Sequence, residues 1–160
     1  MASPHQRVFE ENVQKREAES EYTQSFTREA LDATITGLDG WDGLTGPERS
    51  QRGAAYGKGE KLYKMSKRFC VVDIVGADGA DGDDEKVLVE RRKDGSIPAV
   101  EDYRRVVPTE DWFDTLKEHH EEGGHCKGRV FDNRVHGVCR GIPRWALEVS
   151  LTFAFLHTCH

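Results

Sequence analysis

The stretch His119 to Arg129, HHEEGGHCKGR, sets three histidines and a cysteine within eleven residues. Six of the seven histidines and three of the four cysteines lie between His119 and His160, so imidazole and thiol groups are concentrated in the last quarter of the chain. That pairing of donors points to zinc, which takes imidazole nitrogen and thiolate sulfur in a tetrahedral shell. Its local ligand pairs stand a few residues apart, so that one turn of chain presents both.

His120 and His125, with EEGG between them, form such a pair. Positions 112, 116 and 120 share a helix face, which turns His120 inward with Trp112 and Leu116 and leaves His119 about 100° away, toward solvent. Gly123 and Gly124 then let the backbone fold back so that His125 approaches the same point. Cys159, beyond an apolar helix, is the expected thiolate. The fourth ligand stays open among Cys126, Cys139, His157 and His160, none of which forms a Cys-x-x-Cys pair. His119, His136 and His157 read as solvated side chains. Three protein ligands with an open fourth position would be the arrangement of a zinc-dependent hydrolase, with Glu121 or Glu122 as base. The flexible Glu-Glu-Gly-Gly turn and the lack of a His-Glu-x-x-His pattern weigh against that alternative.

The elements that must position these residues are legible from spacing. Thr109, followed by Glu110 and Asp111, predicts the start of a helix carrying Trp112, Phe113 and Leu116 and ended by Gly123 and Gly124. A second short helix is expected over about residues 127–136. A third opens at Pro143 and is apolar nearly all round, with Trp145, Val149, Phe153 and Leu156 among its members, so it must be buried or covered by a partner. Upstream, RFCVVDIVG and EKVLVERR are β-branched runs on either side of ADGADGDD and predict a hairpin, with YRRVV (Tyr103–Val107) as a short third strand. The acidic loop lacks the alternation of a calcium-binding loop and reads as a solvated turn. Tyr22 to Leu38 carries a helical stripe. Gly37 to Pro47 reads as a linker, and Gly53, Gly57 and Gly59 argue against a helix before about Glu60. Residues 1 to about 21 are too polar to bury much surface and are expected to form a mobile arm or a loose helix.

The chain has 160 residues, 32% of them charged and 36% hydrophobic, which is lean for one core. A formal net charge of −6 argues against general polyanion binding. A local basic excess does exist, and Lys58, Lys61, Tyr63, Lys64, Lys67 and Arg68 could contact phosphate and stack a base, although such a stretch is more often a solvated face. No signal peptide and no membrane-spanning run is seen, which predicts an intracellular protein, nuclear or cytoplasmic, with reduced cysteines.

The run VVPTEDWFDTLKEHHEEGGHCKGR, continued by GIPRWALEVSLTFAFLHTC, resembles the His-His-Cys-Cys zinc-binding domain of integrases from retroviruses and long-terminal-repeat retrotransposons, the gypsy type in particular. His120 and His125 match its two histidines with the family's four-residue gap, Gly128 and Arg129 its Gly-Arg, and Cys159 its first cysteine. The likeness covers about the last 60 residues. The family's second cysteine would fall at position 162, so either the chain is truncated relative to its relatives, as a mobile-element remnant would be, or His160 or a nearby cysteine substitutes, or the site no longer binds metal. What the resemblance implies is the zinc-binding, self-associating and DNA-end-positioning part of that machinery, a non-catalytic module holding Zn2+ through His120, His125 and Cys159, with His160 standing in for the second cysteine. The lack of a basic excess from Glu101 onward favours protein association over more than low-affinity DNA contact. No integrase catalytic core and no small-molecule substrate are implied. The expected whole is an α+β chain with three parts. Residues 1–47 are a helical or flexible N-terminal region, 48–107 a basic segment with a hairpin or three-stranded sheet, and 108–160 a three-helix zinc-binding domain.

Overall fold

Helical spacing gives way to alternation and returns along the chain, and the fold is correspondingly mixed α+β. The computed structural model describes residues 3–19, 25–57, 59–74, 85–123 and 128–153. Among these, the elements in chain order are α1 (Pro4–Glu19), α2 (Arg28–Leu38), α3 (Gly46–Ala55), α4 (Gly59–Arg68), β1 (Phe69–Ile74), β2 (Glu85–Glu90), β3 (Arg105–Val106), α5 (Trp112–Glu122), α6 (Arg129–Val138), β4 (Cys139–Arg140) and α7 (Arg144–Phe153). They form two compact units, one joining Met1–Thr27 to Val107–His160 and the other comprising Arg28–Val106.

In the first unit the three C-terminal helices α5, α6 and α7 are joined by a helix from the other end of the chain. The segment expected as a mobile arm or loose helix is a sixteen-residue helix. Its only buried residues, Phe9 and Val13, are one helical turn apart and enter the core formed by Trp112, Phe113, Leu116, Phe131 and Leu147. Two correctly spaced anchors are enough to dock a segment whose average composition is polar. The Phe9 and Phe113 rings meet at 5.6 Å. α1 also packs against α7, so the apolar third helix is covered within its own chain, by α1 and α5. Thr109 does not cap α5. It opens a 3-10 turn (Thr109–Asp111), and both its backbone N–H and its hydroxyl donate to the Phe26 carbonyl, at 2.8 and 3.0 Å.

In the second unit β1 and β2 pair antiparallel from Phe69 opposite Glu90 to Ile74 opposite Glu85, and β3 adds to β2 with Val89 opposite Arg105. The expected hairpin and a short third strand are both present in this unit. Cys70, Val72, Val87 and Val89 make one buried cluster against it. The acidic loop between the strands, 75–84, lies outside the described residues.

Two expectations fail here for identifiable reasons. Gly37 to Pro47 is no linker, because Leu38 and Trp41 are buried, the latter in a 3-10 turn whose carbonyl accepts from Arg49 Nε. The glycines do not prevent a helix before Glu60 either. Pro47 stands in the first turn of α3, and the Glu48 carboxylate accepts from both the backbone N–H and the hydroxyl of Thr45, at 2.7 and 2.6 Å. Such a cap offsets the entropy cost of a single internal glycine. Gly53 is moreover required, since a Cβ there would stand 2.6 Å from Gly59 Cα. Arg91 locks this unit together: its side chain is 9% exposed, pairs with Asp42 through both carboxylate oxygens, and donates from Nε to the carbonyls of Ser66 and Phe69.

Candidate metal centre

The spacing Trp112, Leu116, His120 places all three on the inner face of α5, and each is essentially inaccessible, His120 being 1% exposed. Trp112 donates its indole N–H to the Val107 carbonyl and meets Trp145 edge-on at 6.0 Å, which fixes the face along which His120 also lies. His120 stands at the last turn of α5 and meets the edge of Phe131, on α6, at 5.7 Å and 89°. A polar ring so deep in an apolar core requires partners to offset its lost hydration.

His119 was expected in solvent and is not there. Its side chain is 18% exposed, and its Nε2 lies 3.6 Å from Sγ of Cys139, which is buried where α6 gives way to β4. Its Nδ1 faces Glu122 at 4.0 Å, and Glu122 in turn pairs with Arg134 at 3.0 Å. His136 is likewise no bystander. Its Nδ1 lies 2.8 Å from Asp132 Oδ1 and its Nε2 3.2 Å from the Ile142 carbonyl, while Asp132 also takes Arg144 at 2.8 Å, joining α6 to the start of α7. The His119–Cys139 contact has no sequence signal, since Cys139 is twenty residues from His119 and carries no motif, whereas Asp132 and His136 stand four residues apart on α6, a spacing that could have shown theirs.

His125, Cys159 and His160, and with them Cys126 and His157, lie outside the described residues. Among the described residues no three His, Cys, Asp or Glu side chains gather as a metal shell. Imidazole and thiol are both groups that zinc takes as ligands. His120 is a buried imidazole at a helix end. The His119–Cys139 separation also matches two ligands of one tetrahedral ion, since bonds of about 2.3 Å to sulfur and about 2.0–2.1 Å to nitrogen set the two atoms roughly 3.5–3.6 Å apart.

The basic residues read from the sequence belong to the second unit. Lys61, Tyr63, Lys64, Lys67 and Arg68 all lie on the exposed side of α4, opposite the buried Leu62 and Ser66, and Lys58 lies outside the described residues. Lys64 pairs with Glu60 at 2.6 Å, and the Lys67 ammonium stands 4.7 Å above the Tyr63 ring.

No family model, no curated protein and no solved structure matches this chain. No helix among the described residues is long and apolar enough to cross a membrane.

Proposed function

We propose that the first unit carries a non-catalytic zinc-binding module of the integrase type, whose role is to present a rigid surface for association with a second protein molecule. The observation that carries this reading is His120, buried at the end of α5 on the face of Trp112 and Leu116 and packed on Phe131. A histidine buried at a helix end beside a histidine- and cysteine-rich segment is well placed to become a ligand, and a structural zinc would pin the helix ends of a core that is small for its charge. His120, His125 and Cys159, as the resemblance implies, and His160 in place of the family's second cysteine are the residues that would hold the ion. Bound zinc would supply cross-linking of chain segments rather than an activated water. Glu121 and Glu122, the nearest candidate bases, are directed elsewhere, to Lys117 at 3.9 Å and to Arg134 at 3.0 Å. With α7 covered by α1, the exposed apolar side chains that remain for a partner include Val130 and Val138 of α6.

The His119–Cys139 contact favours a second reading, in which this pair replaces part of the family's ligand set. Cobalt(II) substitution separates the two. Ligand-field absorption of tetrahedral cobalt that disappears in His120→Ala but survives in His119→Ala and Cys139→Ser supports the first assignment, and the reverse pattern supports the second. A chain that takes up no cobalt or zinc contradicts both. Sedimentation over a range of concentrations tests association, which should weaken in a Val130→Asp, Val138→Asp double variant.

A further inference from the structure

The α3–α4 hairpin has a construction that the zinc reading leaves unused. Three residues, 56 to 58, separate the two helices, and Gly57 among them takes a positive φ of 61°. Gly53 and Gly59 bring the helix backbones nearly into contact, because a Cβ on the first would lie 2.6 Å from Cα of the second. A turn of three or four residues that often contains glycine also joins the two helices of helix-turn-helix motifs, whose second helix enters the major groove. Here the second helix is α4. Its inner face is anchored by Leu62 and Ser66, and its outer face presents Lys61, Lys64, Lys67 and Arg68 against two carboxylates, Glu60 of the same helix and Glu90 of β2, which lies 3.7 Å from Arg68.

A second element extends the same charge. A concavity of about 450 Å³ beside α4 is lined by Tyr63 and Lys67 from the helix and by Arg92 and Lys93 from the turn after β2. Its two carboxylates are engaged, Asp42 with Arg91 of the same lining and Asp94 with the Ser96 hydroxyl and backbone N–H, which hold its carboxyl below the ordinary range, and Arg92 is paired with Asp102 at 2.7 Å on the exposed surface. Lys67 and Lys93 have no ion-pair partner among the described residues.

We propose that α4 docks in the major groove of duplex DNA, with Lys64, Lys67 and Arg68 on one backbone and the Arg92–Lys93 turn reaching a neighbouring phosphate. An α-helix with its side chains is about 10–12 Å across and enters the major groove of B-form DNA, about 12 Å wide, whereas the major groove of duplex RNA is too narrow. The charge of this face is complementary to phosphate although the whole chain carries −6. This surface lies entirely in Arg28–Val106 and is independent of the zinc reading.

The test is fluorescence anisotropy of the full chain with a labelled duplex of about 20 base pairs, the matching single strand, and duplex RNA, across a salt series. The expected result is preference for duplex DNA, with log affinity falling against log salt at a slope of about −3.6, as four phosphate contacts require. Lys64→Ala and Lys67→Ala should each lower that slope by about one, and Lys64→Glu with Lys67→Glu should weaken binding at least about tenfold. Unchanged circular dichroism melting in these exposed variants, and unchanged DNA binding in His120→Ala, would tie the effect to α4. No duplex binding at low salt would overturn the proposal. So would tighter binding of the single strand or of duplex RNA, or duplex binding indifferent to the α4 variants.

Discussion

At Gly53 a single hydrogen atom decides how closely two helices approach. Gly53→Ala puts a methyl 2.6 Å from the Gly59 backbone, which cannot move aside as a flexible side chain would. At Gly57 nothing lies within 4 Å of a Cβ, and the penalty is only that of a left-handed conformation. Gly57→Ala should therefore cost about 1 kcal/mol and Gly53→Ala at least about 1–3 kcal/mol, a ranking that urea denaturation of the two variants checks. Glu48 offers a titration. Its carboxyl is held below the ordinary range, first by the Thr45 hydroxyl and then by the Thr45 N–H. A depressed carboxylate contributes stability that is present above its unfolded pKa and is lost as pH falls through the folded value. Glu48→Gln should accordingly show a smaller drop in Tm than the parent chain between about pH 7 and about pH 3, and an equal drop would remove the cap from the account. At the same scale the sequence shows some things and hides others. The inward direction of His120 follows from its four-residue steps to Trp112 and Leu116, because helical periodicity is local. The company of His119 does not, because Cys139 reaches it only after α6 has turned the chain back.

Among the elements, β1 and β2 are read directly from their valine-rich runs, and α5, α6 and α7 from helical spacing and flanking glycine and proline. α1 and α3 are hidden for opposite reasons. α3 carries a strong local signal, the Thr45–Glu48 cap with Pro47, but its glycines look like breakers until the contact with Gly59 is known. α1 has almost no amphipathic signal and is held by tertiary packing through Phe9 and Val13. Phe9→Ala should therefore cost about 3–5 kcal/mol, comparable to truncating a central core residue, and should raise binding of a hydrophobic dye by uncovering α7. A loss within about 0.5 kcal/mol, the range of surface substitutions, would mean that α1 does not hold the core. Thr45→Ala should cost about 0.5–2 kcal/mol, read as a lower urea midpoint, through loss of the α3 cap.

For the molecule as a whole, the chain is divided so that residues 28–106 form one continuous unit while the ends combine into the other. Segment order along the sequence conceals this, since nothing local announces that residues 4–19 pack with residues 112–153. The continuous unit carries its own lock, Arg91 bound to Asp42, Ser66 and Phe69. A fragment spanning 28–106 should give a cooperative thermal transition, and Arg91→Ala should lower its midpoint by well over the few degrees expected of a surface change. The histidine-rich unit carries the central claim. Elemental analysis of zinc per chain in purified protein, beside His120→Ala and Cys159→Ala, tests that claim most directly. The account predicts about one zinc per chain, lost in both variants, as a four-ligand structural site requires. A chain without zinc, or zinc content indifferent to both substitutions, would contradict it.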